Sequence, residues 1–310
     1  MLPRTRSVIV PLFGFVLAAA AVHAQSTFAN IVGTVADQSG AIITQVSITA
    51  TNVDQNIAQT VASDESGNFQ FLNLKPGRYQ VSAEKSGFAP VRVSGVTIDA
   101  RQERRVDLQL RVASVGQTVD VSADATTINT ENATISDTKD GQQVLGLPVN
   151  YRGATTSPLA TLVAVPGVQQ DSSGQLSIGG GFPSMIEFSL DGISTVNVRN
   201  NGANTNMYPS SELISEFRVS AVNNNAEFAQ TGDVTVTTKS GGNQFHGSAF
   251  EYLQNRALDS TIYGAGYKQA KTDNTFGVSL GVPVLIPRLY NGRNRTLFFA
   301  DFEENRLLGS

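Results

Sequence analysis

Residues 64–88, DESGNFQFLNLKPGRYQVSAEKSGF, constrain this chain more than any other stretch. Phe69 and Phe71, then Tyr79, Val81 and Ala83, recur at every second position, the spacing that sets side chains on one face of a strand. Lys75-Pro76-Gly77 and Ser86-Gly87 interrupt the alternation. Proline fixes φ and glycine reaches left-handed backbone, so both breaks are turn signals with a mechanism. An amphipathic helix needs apolar residues three and four apart without such breakers, so helix is excluded here.

The same pattern surrounds this stretch. Residues 31–35, 46–50, 69–71, 79–83 and 106–110 are short alternating runs. Gln38-Ser39-Gly40 and Glu65-Ser66-Gly67-Asn68 supply further turns. Runs and turns at this spacing predict a small antiparallel sandwich over residues 28–112. Only 15% of residues are charged, and Thr, Val, Gly and Asn are plentiful. Such a composition suits strands and loops, so the whole chain is expected to be mainly β.

The order G-x-V, D-x-x-G-x-F-x-F-x-x-L-x-P-G-x-Y-x-V, S-G-F is carried by Gly33, Asp64, Gly67, Phe69, Phe71, Leu74, Pro76, Gly77, Tyr79, Val81 and residues 86–88. It resembles the hairpin core of a carboxypeptidase-regulatory-like domain, a transthyretin-like β-sandwich. The resemblance implies a module that is not a peptidase and whose fold is described as carbohydrate-binding-like. A spacer or docking role without ligand and a glycan-binding role both remain open for it.

Arg4 and Arg6 precede an apolar run at 8–22 that ends in Val22-His23-Ala24, a small-x-small cleavage pattern. Residues 1–24 therefore read as an export signal. A membrane anchor fits less well, because Pro11 and Gly14 interrupt a run too short to span comfortably. Removing Arg4 and Arg6 from 22 basic residues, against 26 acidic ones, leaves a net charge of −6. Nucleic acid is excluded as a partner, since phosphate neutralisation needs clustered Lys and Arg.

Cysteine is absent, so burial and backbone pairing must hold an exported chain together without disulfides. His246 is the only histidine after the signal, which removes His-based triads and His-rich zinc sites. Asp171, Asp191 and Asp233 read as turn and loop-cap residues rather than acid/base pairs. Gly179-Gly180-Gly181 lacks the following basic helix of a phosphate cradle and reads as a tight loop. The residues point to no enzyme and to no catalytic, cofactor or metal site.

Residues 113–140 lose the alternation and form a linker by composition. Within it, Gln117-Thr118-Val119-Asp120-Val121-Ser122-Ala123 resembles the segment that TonB-dependent receptors offer to the TonB energy-coupling complex by strand addition. The same residues also fit a last sandwich strand. Over 141–242, residues 157–165 form an apolar helix candidate closed by Pro166-Gly167. Ser210 or Ser211 is a cap and Glu212 an N-terminal acid for a helix running through 213–219. Residues 233–241 form an alternating strand with a glycine exit.

Six pieces in this region fall in the order found in the plug domain of Oar-like TonB-dependent outer-membrane receptors. They are L-P-x-N at 147–150, P-G-V-Q at 166–169, Leu190-Asp191-Gly192, I-x-E-F-R-V at 214–219 with Glu216, Phe217 and Arg218, A-E-F at 226–228, and Thr238-Lys239-Ser240-Gly241. The resemblance implies a small α+β plug. Residues 229–233 replace the family's Gly-rich run, which puts the strand register there in question. The Asn-rich residues 197–206 are a solvated loop, or by their place in the plug an outward loop that touches substrate.

Residues 243–252 are similar to the first barrel strand of that family. Phe276, Val278, Leu280, Val282 and Val284 then share one face, with Thr275, Gly277, Ser279 and Gly281 on the other. Phe298, Ala300 and Phe302 oppose Asp301 and Glu303 in the same way. Apolar outside and small or polar inside is the pattern of a membrane β-barrel strand. A soluble sheet packed on one face is the alternative. Residues 243–310 hold three such strands, too few to close a barrel, so an incomplete outer-membrane barrel and a fragment of a longer protein are expected.

The reading is therefore signal, sandwich, linker with a coupling segment, plug and the start of a barrel. It belongs to an outer-membrane receptor with its sandwich on the periplasmic side. The resemblance implies TonB and outer-membrane lipid as partners, a glycan, peptide or other small nutrient as cargo, and no cofactor. The alternative of another class is an exported periplasmic or surface binding protein whose carbohydrate-binding-like sandwich binds a glycan or partner and whose remainder is adhesive β structure.

Overall fold

The structure is a computed structural model. It describes residues 27–308 apart from 114–118, 123–130, 132, 147–157, 172–174, 200–201, 205–206, 225–229, 259, 262–263, 265–267 and 269–271. The export signal at 1–24, the motif pieces at 147–150 and 226–228, and Gln117, Thr118 and Ala123 lie outside the described residues.

The first alternating runs become β1 (Ala29–Asp37), β2 (Ser47–Asn52), β3 (Ala58–Ala62), β4 (Asn68–Leu74), β5 (Gly77–Glu84), β6 (Phe88–Ala89), β7 (Val91–Ile98), β8 (Glu103–Arg105), β9 (Leu108–Val112) and β10 (Val119–Ser122). One sheet has the order β4-β1-β9-β6, with β8 also on β1, and the facing sheet has the order β10-β7-β5-β2-β3. Ile31, Ile48, Phe71, Val81, Ile98 and Leu110 are fully buried between them. At about 1.5–3 kcal/mol for each large apolar side chain, this layer supplies the stability that disulfides give other exported domains. Asp37 and Asp64 close two turns by accepting backbone N–H groups, from Ser39 and Ala41 and from Ser66 and Asn68 respectively.

One expectation for this unit needs correction. Residues 64–88 do not form a hairpin, because β4 pairs with β1 and β5 with β2 and β7, in opposite sheets. Both strands are apolar on one face only. An arch through Pro76 lets Phe71 and Val81 meet across the core, whereas a hairpin would set them side by side. Gly77 at φ 142° and a hydrogen bond from the Tyr79 hydroxyl to the Lys75 carbonyl (2.9 Å) hold that arch. In addition, β10 is a sandwich strand, paired parallel to β7 with Val119 opposite Val91 and Ser122 opposite Ser94.

The middle unit contains β11 (Ile135–Asp140), α1 (Gly141–Gly146), β12 (Val168–Gln170), β13 (Leu176–Ile178), β14 (Ile186–Leu190), β15 (Ile193–Ser194), β16 (Val196–Asn197), β17 (Gly202–Ala203), β18 (Ile214–Val222) and β19 (Gly232–Thr238). Its main sheet has the order β11-β18-β19-β14-β15, with β14 and β19 parallel. Phe188, Phe217, Val219, Val234 and Val236 lie on one face against Leu159, Leu162 and Val165. Ser189, Glu216, Arg218, Asp233 and Thr235 are also buried, on the opposite face.

The helix expected over 213–219 is a strand. A single 3-10 turn, Ser211–Leu213, is capped by Ser210, whose hydroxyl accepts the Glu212 N–H. Beyond it Phe217 and Val219 alternate with Glu216 and Arg218, and period two prevails once β11 and β19 offer pairing on both edges. The apolar helix candidate becomes the 3-10 segment Pro158–Ala164. The linker ends earlier than its composition suggests, because Ile135–Asp140 is strand β11. Strand β19 begins at Gly232 with Asp233 opposite Ser220 and Glu187, which fixes the register left in question at 229–233.

The last unit comprises β20 (His246–Asn255), β21 (Thr272–Pro283), β22 (Leu285–Ile286), β23 (Tyr290–Asn291) and β24 (Leu297–Leu308). Strands β20, β21 and β24 form an open antiparallel sheet. Val278, Leu280, Phe298 and Phe302 are each more than half exposed, while Asp273, Thr275 and Ser279 on the other face are buried. The covered face is knitted by polar contacts, Ser248 to Ser279 at 2.8 Å and Asn305 to Asp273 at 2.9 Å. Among the described residues no helix is long and apolar enough to cross a membrane, which says nothing of strands.

Candidate functional site at the junction of the units

The turn between β7 and β8 carries Asp99, Ala100, Arg101 and Gln102, and Arg101 adopts φ 59°. That left-handed backbone is uncommon for a residue with a side chain, and here it drives the turn into the polar face of the middle sheet. An Arg101 Nη lies 2.7 Å from a carboxylate oxygen of Asp233, with 9% and 3% of the two side chains exposed. The other Arg101 Nη reaches the Ser189 hydroxyl at 3.3 Å.

Ala100 is held through its backbone. Its N–H donates to a Glu216 carboxylate oxygen at 2.7 Å, and its carbonyl accepts from an Arg218 Nη at 2.8 Å. The Thr235 hydroxyl donates to the second oxygen of Asp233 at 2.8 Å. Two residues of the sandwich thus clasp β14, β19 and β18 at once.

Burial is the largest influence on the charges here. It raises Glu216 to about 7, helped by the nearby Asp99 charge and opposed by the Ala100 N–H and Arg218. It also pulls the Arg218 guanidinium down, against the attraction of Asp99, Glu216 and Asp233. Withdrawing Arg101 would leave Asp233 buried without its cation, and breaking such a pair costs about 3–5 kcal/mol.

The motif residues read from the sequence meet at this junction and at its rim. Glu216 and Arg218 form the clasp, while Phe217 points into the opposite, apolar layer. Leu190, Asp191 and Gly192 make the turn after β14. Asp191 accepts the Thr238 N–H at 2.9 Å and the Thr238 hydroxyl at 2.8 Å, fixing the end of β19. Lys239 N–H bonds the Leu213 carbonyl at 2.8 Å, and Ser240 accepts from the Gln55 amide of the sandwich at 3.1 Å. Gly241 passes under β24, where a Cβ would lie 2.4 Å from the Phe298 carbonyl oxygen. Tyr252 of β20 donates to Glu212 at 2.6 Å, a second tie between the middle unit and the last sheet.

Of the coupling candidates, Val119, Asp120, Val121 and Ser122 form β10. This strand is lightly held: Asp120 is exposed, Val121 is 45% exposed, and the Asp120–Arg92 ion pair is 4.0 Å long and solvent-facing. Asp171 and Asp191 are turn residues as expected, and Asp171 accepts the Gln175 N–H at 2.9 Å. Asp233 is not. Sequence reasoning missed it together with Arg101 and Ser189. The available signal was a strand whose polar side, Asp233 and Thr235, stands beside the polar Glu216 and Arg218 of its neighbour. Gly179 and Gly180 have positive φ in a tight turn, in keeping with the loop reading.

A cleft of about 770 Å³ opens beside the junction, lined by Asn52, Asp54, Gln55, Arg78, Lys239 and Asn243 among others. The Asp54–Arg78 pair, 2.7 Å apart, crosses part of it. Among the described residues no group of three His, Cys, Asp or Glu side chains is arranged to hold a metal.

Residues 30–111 match the carboxypeptidase regulatory-like domain, and residues 237–309 match an outer membrane beta barrel domain. The TonB-dependent transporter Oar of Myxococcus xanthus is 29% identical over 308 aligned residues, 93% of this chain and 28% of the relative. The chain thus spans just over a quarter of the length of the curated relative it matches. Solved structures overlap it only in part. The 3-chlorocatechol 1,2-dioxygenase of Rhodococcus opacus 1CP covers 29% of this chain and 62% of its own, at 11% identity and a TM-score of 0.23. A streptococcal ancillary pilin covers 28% and 33%, at 14% identity and a TM-score of 0.24. Scores this low say nothing about activity. Along nearly all of its length the chain is similar to the TonB-dependent transporter Oar, with a region that matches the carboxypeptidase regulatory-like domain first and one that matches an outer membrane β-barrel domain last.

Proposed function

We propose that this chain carries the coupling and gating parts of a TonB-dependent outer-membrane transporter. Residues 141–242 act as the plug. Residues 117–123 are the segment that TonB takes by strand addition. The sheet of β20, β21 and β24 is barrel wall, and the sandwich stands on the periplasmic side. No bond chemistry is involved: tension on the coupling segment rearranges the plug and opens a path for a small cargo.

The observation that carries this reading is the two-faced last sheet, with exposed Val278, Leu280, Phe298 and Phe302 backed by buried Asp273, Thr275 and Ser279. Hydrocarbon outside and a polar lumen inside call for that distribution. An open three-stranded sheet leaves edge N–H and C=O groups that lipid cannot satisfy, so the working wall includes further strands.

Two measurements test the reading. Cell fractionation should recover the protein in the outer membrane as a species whose gel mobility shifts on heating; recovery as a soluble periplasmic protein contradicts it. The periplasmic part of TonB should capture the protein, and deletion of residues 117–123 should abolish capture. Equal capture of both forms rules out that segment.

A further inference from the structure

Strand β10 is tethered unequally to the two units that flank it. Upstream, the six residues 113–118 separate it from β9 of the sandwich; downstream, the twelve residues 123–134 separate it from β11 of the middle unit. Fully extended, these tethers reach about 25 Å and about 45 Å. The downstream tether also touches the sandwich on its way, where Glu131 pairs with Arg105 at 3.4 Å. The upstream tether is the shorter route from β10 to a folded unit, and Glu131 ties the downstream one to the sandwich as well.

The sandwich in turn grips the middle sheet through Ala100 and Arg101, which reach its three central strands at 2.7–3.3 Å in a buried setting. By contrast, β10 meets β7 along only four residue pairs, with Asp120 and Val121 exposed and one 4.0 Å surface ion pair. Under load the weaker, solvated pairing yields first. The clasp outlasts it, because parting Arg101 from Asp233 strands a charge in a buried place.

We propose that the sandwich is a load-bearing relay. Tension on the coupling strand enters the middle sheet at its centre, through the clasp of Ala100 and Arg101, and not at its edge along the linker to β11. The proposal rests on the reading of residues 117–123 as the coupling segment. It gives the sandwich a mechanical role and makes Arg101 the residue that positions it for that role.

Single-molecule pulling on the whole chain tests this. The natural sequence has no cysteine, so Asp120→Cys and Ile193→Cys supply unique handles on the coupling strand and the middle unit. Lengthening the linker within 123–130 by about ten residues adds about 35 Å of slack to the linker route alone. The relay predicts that this insertion leaves the extension at the first opening of the middle sheet unchanged. A shift by the inserted length overturns the relay.

In Arg101→Ala the relay predicts that the same insertion does shift the opening, and that the loaded state shortens in lifetime on the order of 100-fold. An unchanged lifetime overturns the proposal. The insertion leaves every clasp residue in place, so the test does not depend on how well the Arg101 variant folds. Force comes from the handle and not from TonB. A negative result therefore leaves the TonB reading of 117–123 standing, and a failed TonB capture leaves this result standing.

Discussion

The Arg101 guanidinium of the sandwich and the Asp233 carboxylate of the middle unit lie 2.7 Å apart, both almost fully buried. A pair in that setting is expensive to break from one side and cheap to replace from both. Arg101→Ala should speed hydrogen exchange at the Ala100 amide, which donates to Glu216, on the order of 100-fold as the junction opens. The double variant Arg101→Leu, Asp233→Leu should recover most of the protection. Equal loss in both variants would assign the effect to packing and not to charge.

Glu216 gives the junction a pH dependence. Its folded value of about 7 lies above its ordinary 4.5, so the fold favours the protonated form. Its contribution is fully present below pH 4.5, is lost as pH rises towards 7, and levels off above that. At about 1.4 kcal/mol per pH unit, the whole effect is of order 3 kcal/mol. The groups around it are Asp99, Arg218 and the Ala100 N–H. Urea unfolding across this range should show the slope in the natural chain and a flat profile in Glu216→Gln. Stability that rises with pH would contradict the assignment.

The Leu190-Asp191-Gly192 turn predicts a smaller, local effect. Asp191 takes two hydrogen bonds from Thr238 at an exposed site. Asp191→Ala should cost about 1–2 kcal/mol, and Asp191→Asn about half of that. Denaturation midpoints of the two variants check the ratio, and an unchanged midpoint in Asp191→Ala would show the turn holds without its carboxylate.

Two glycines in β21 should differ in tolerance. A Cβ at Gly277 meets both the Phe250 ring at 2.4 Å and the Phe302 carbonyl oxygen at 2.5 Å. A Cβ at Gly281 meets only the His246 ring, at 2.2 Å, among its nearest atoms, and an exposed side chain can turn away. Gly277→Ala should abolish the heat-modifiable form while Gly281→Ala retains it. The mobility of each variant on unheated gels is the readout.

Local pattern made much of this fold legible. Alternation and turn chemistry named the sandwich, and the apolar file of Phe276, Val278, Leu280 and Val282 named the exposed face of the last sheet. Where two units meet, the pattern loses its meaning, because burial there comes from a distant partner. Glu216 and Arg218 look like the solvent side of a strand or helix, and only the arrival of Ala100 and Arg101 buries them. Period two also does not say which sheet a strand joins. That is why 64–88 suggests a hairpin and forms an arch, and why residues 213–219, begun by a good helix cap, continue as a strand.

The account turns on which medium the last sheet faces. Val278 and Ser279 are adjacent on β21 and point to opposite sides, one 55% exposed and the other 8%. Single cysteines at these positions, carrying an environment-sensitive dye in protein reconstituted from outer membranes, test that most directly. Brominated lipid chains should quench the dye strongly at Val278→Cys and little at Ser279→Cys. Equal quenching at both, or none at Val278→Cys, would mean that this face does not meet hydrocarbon.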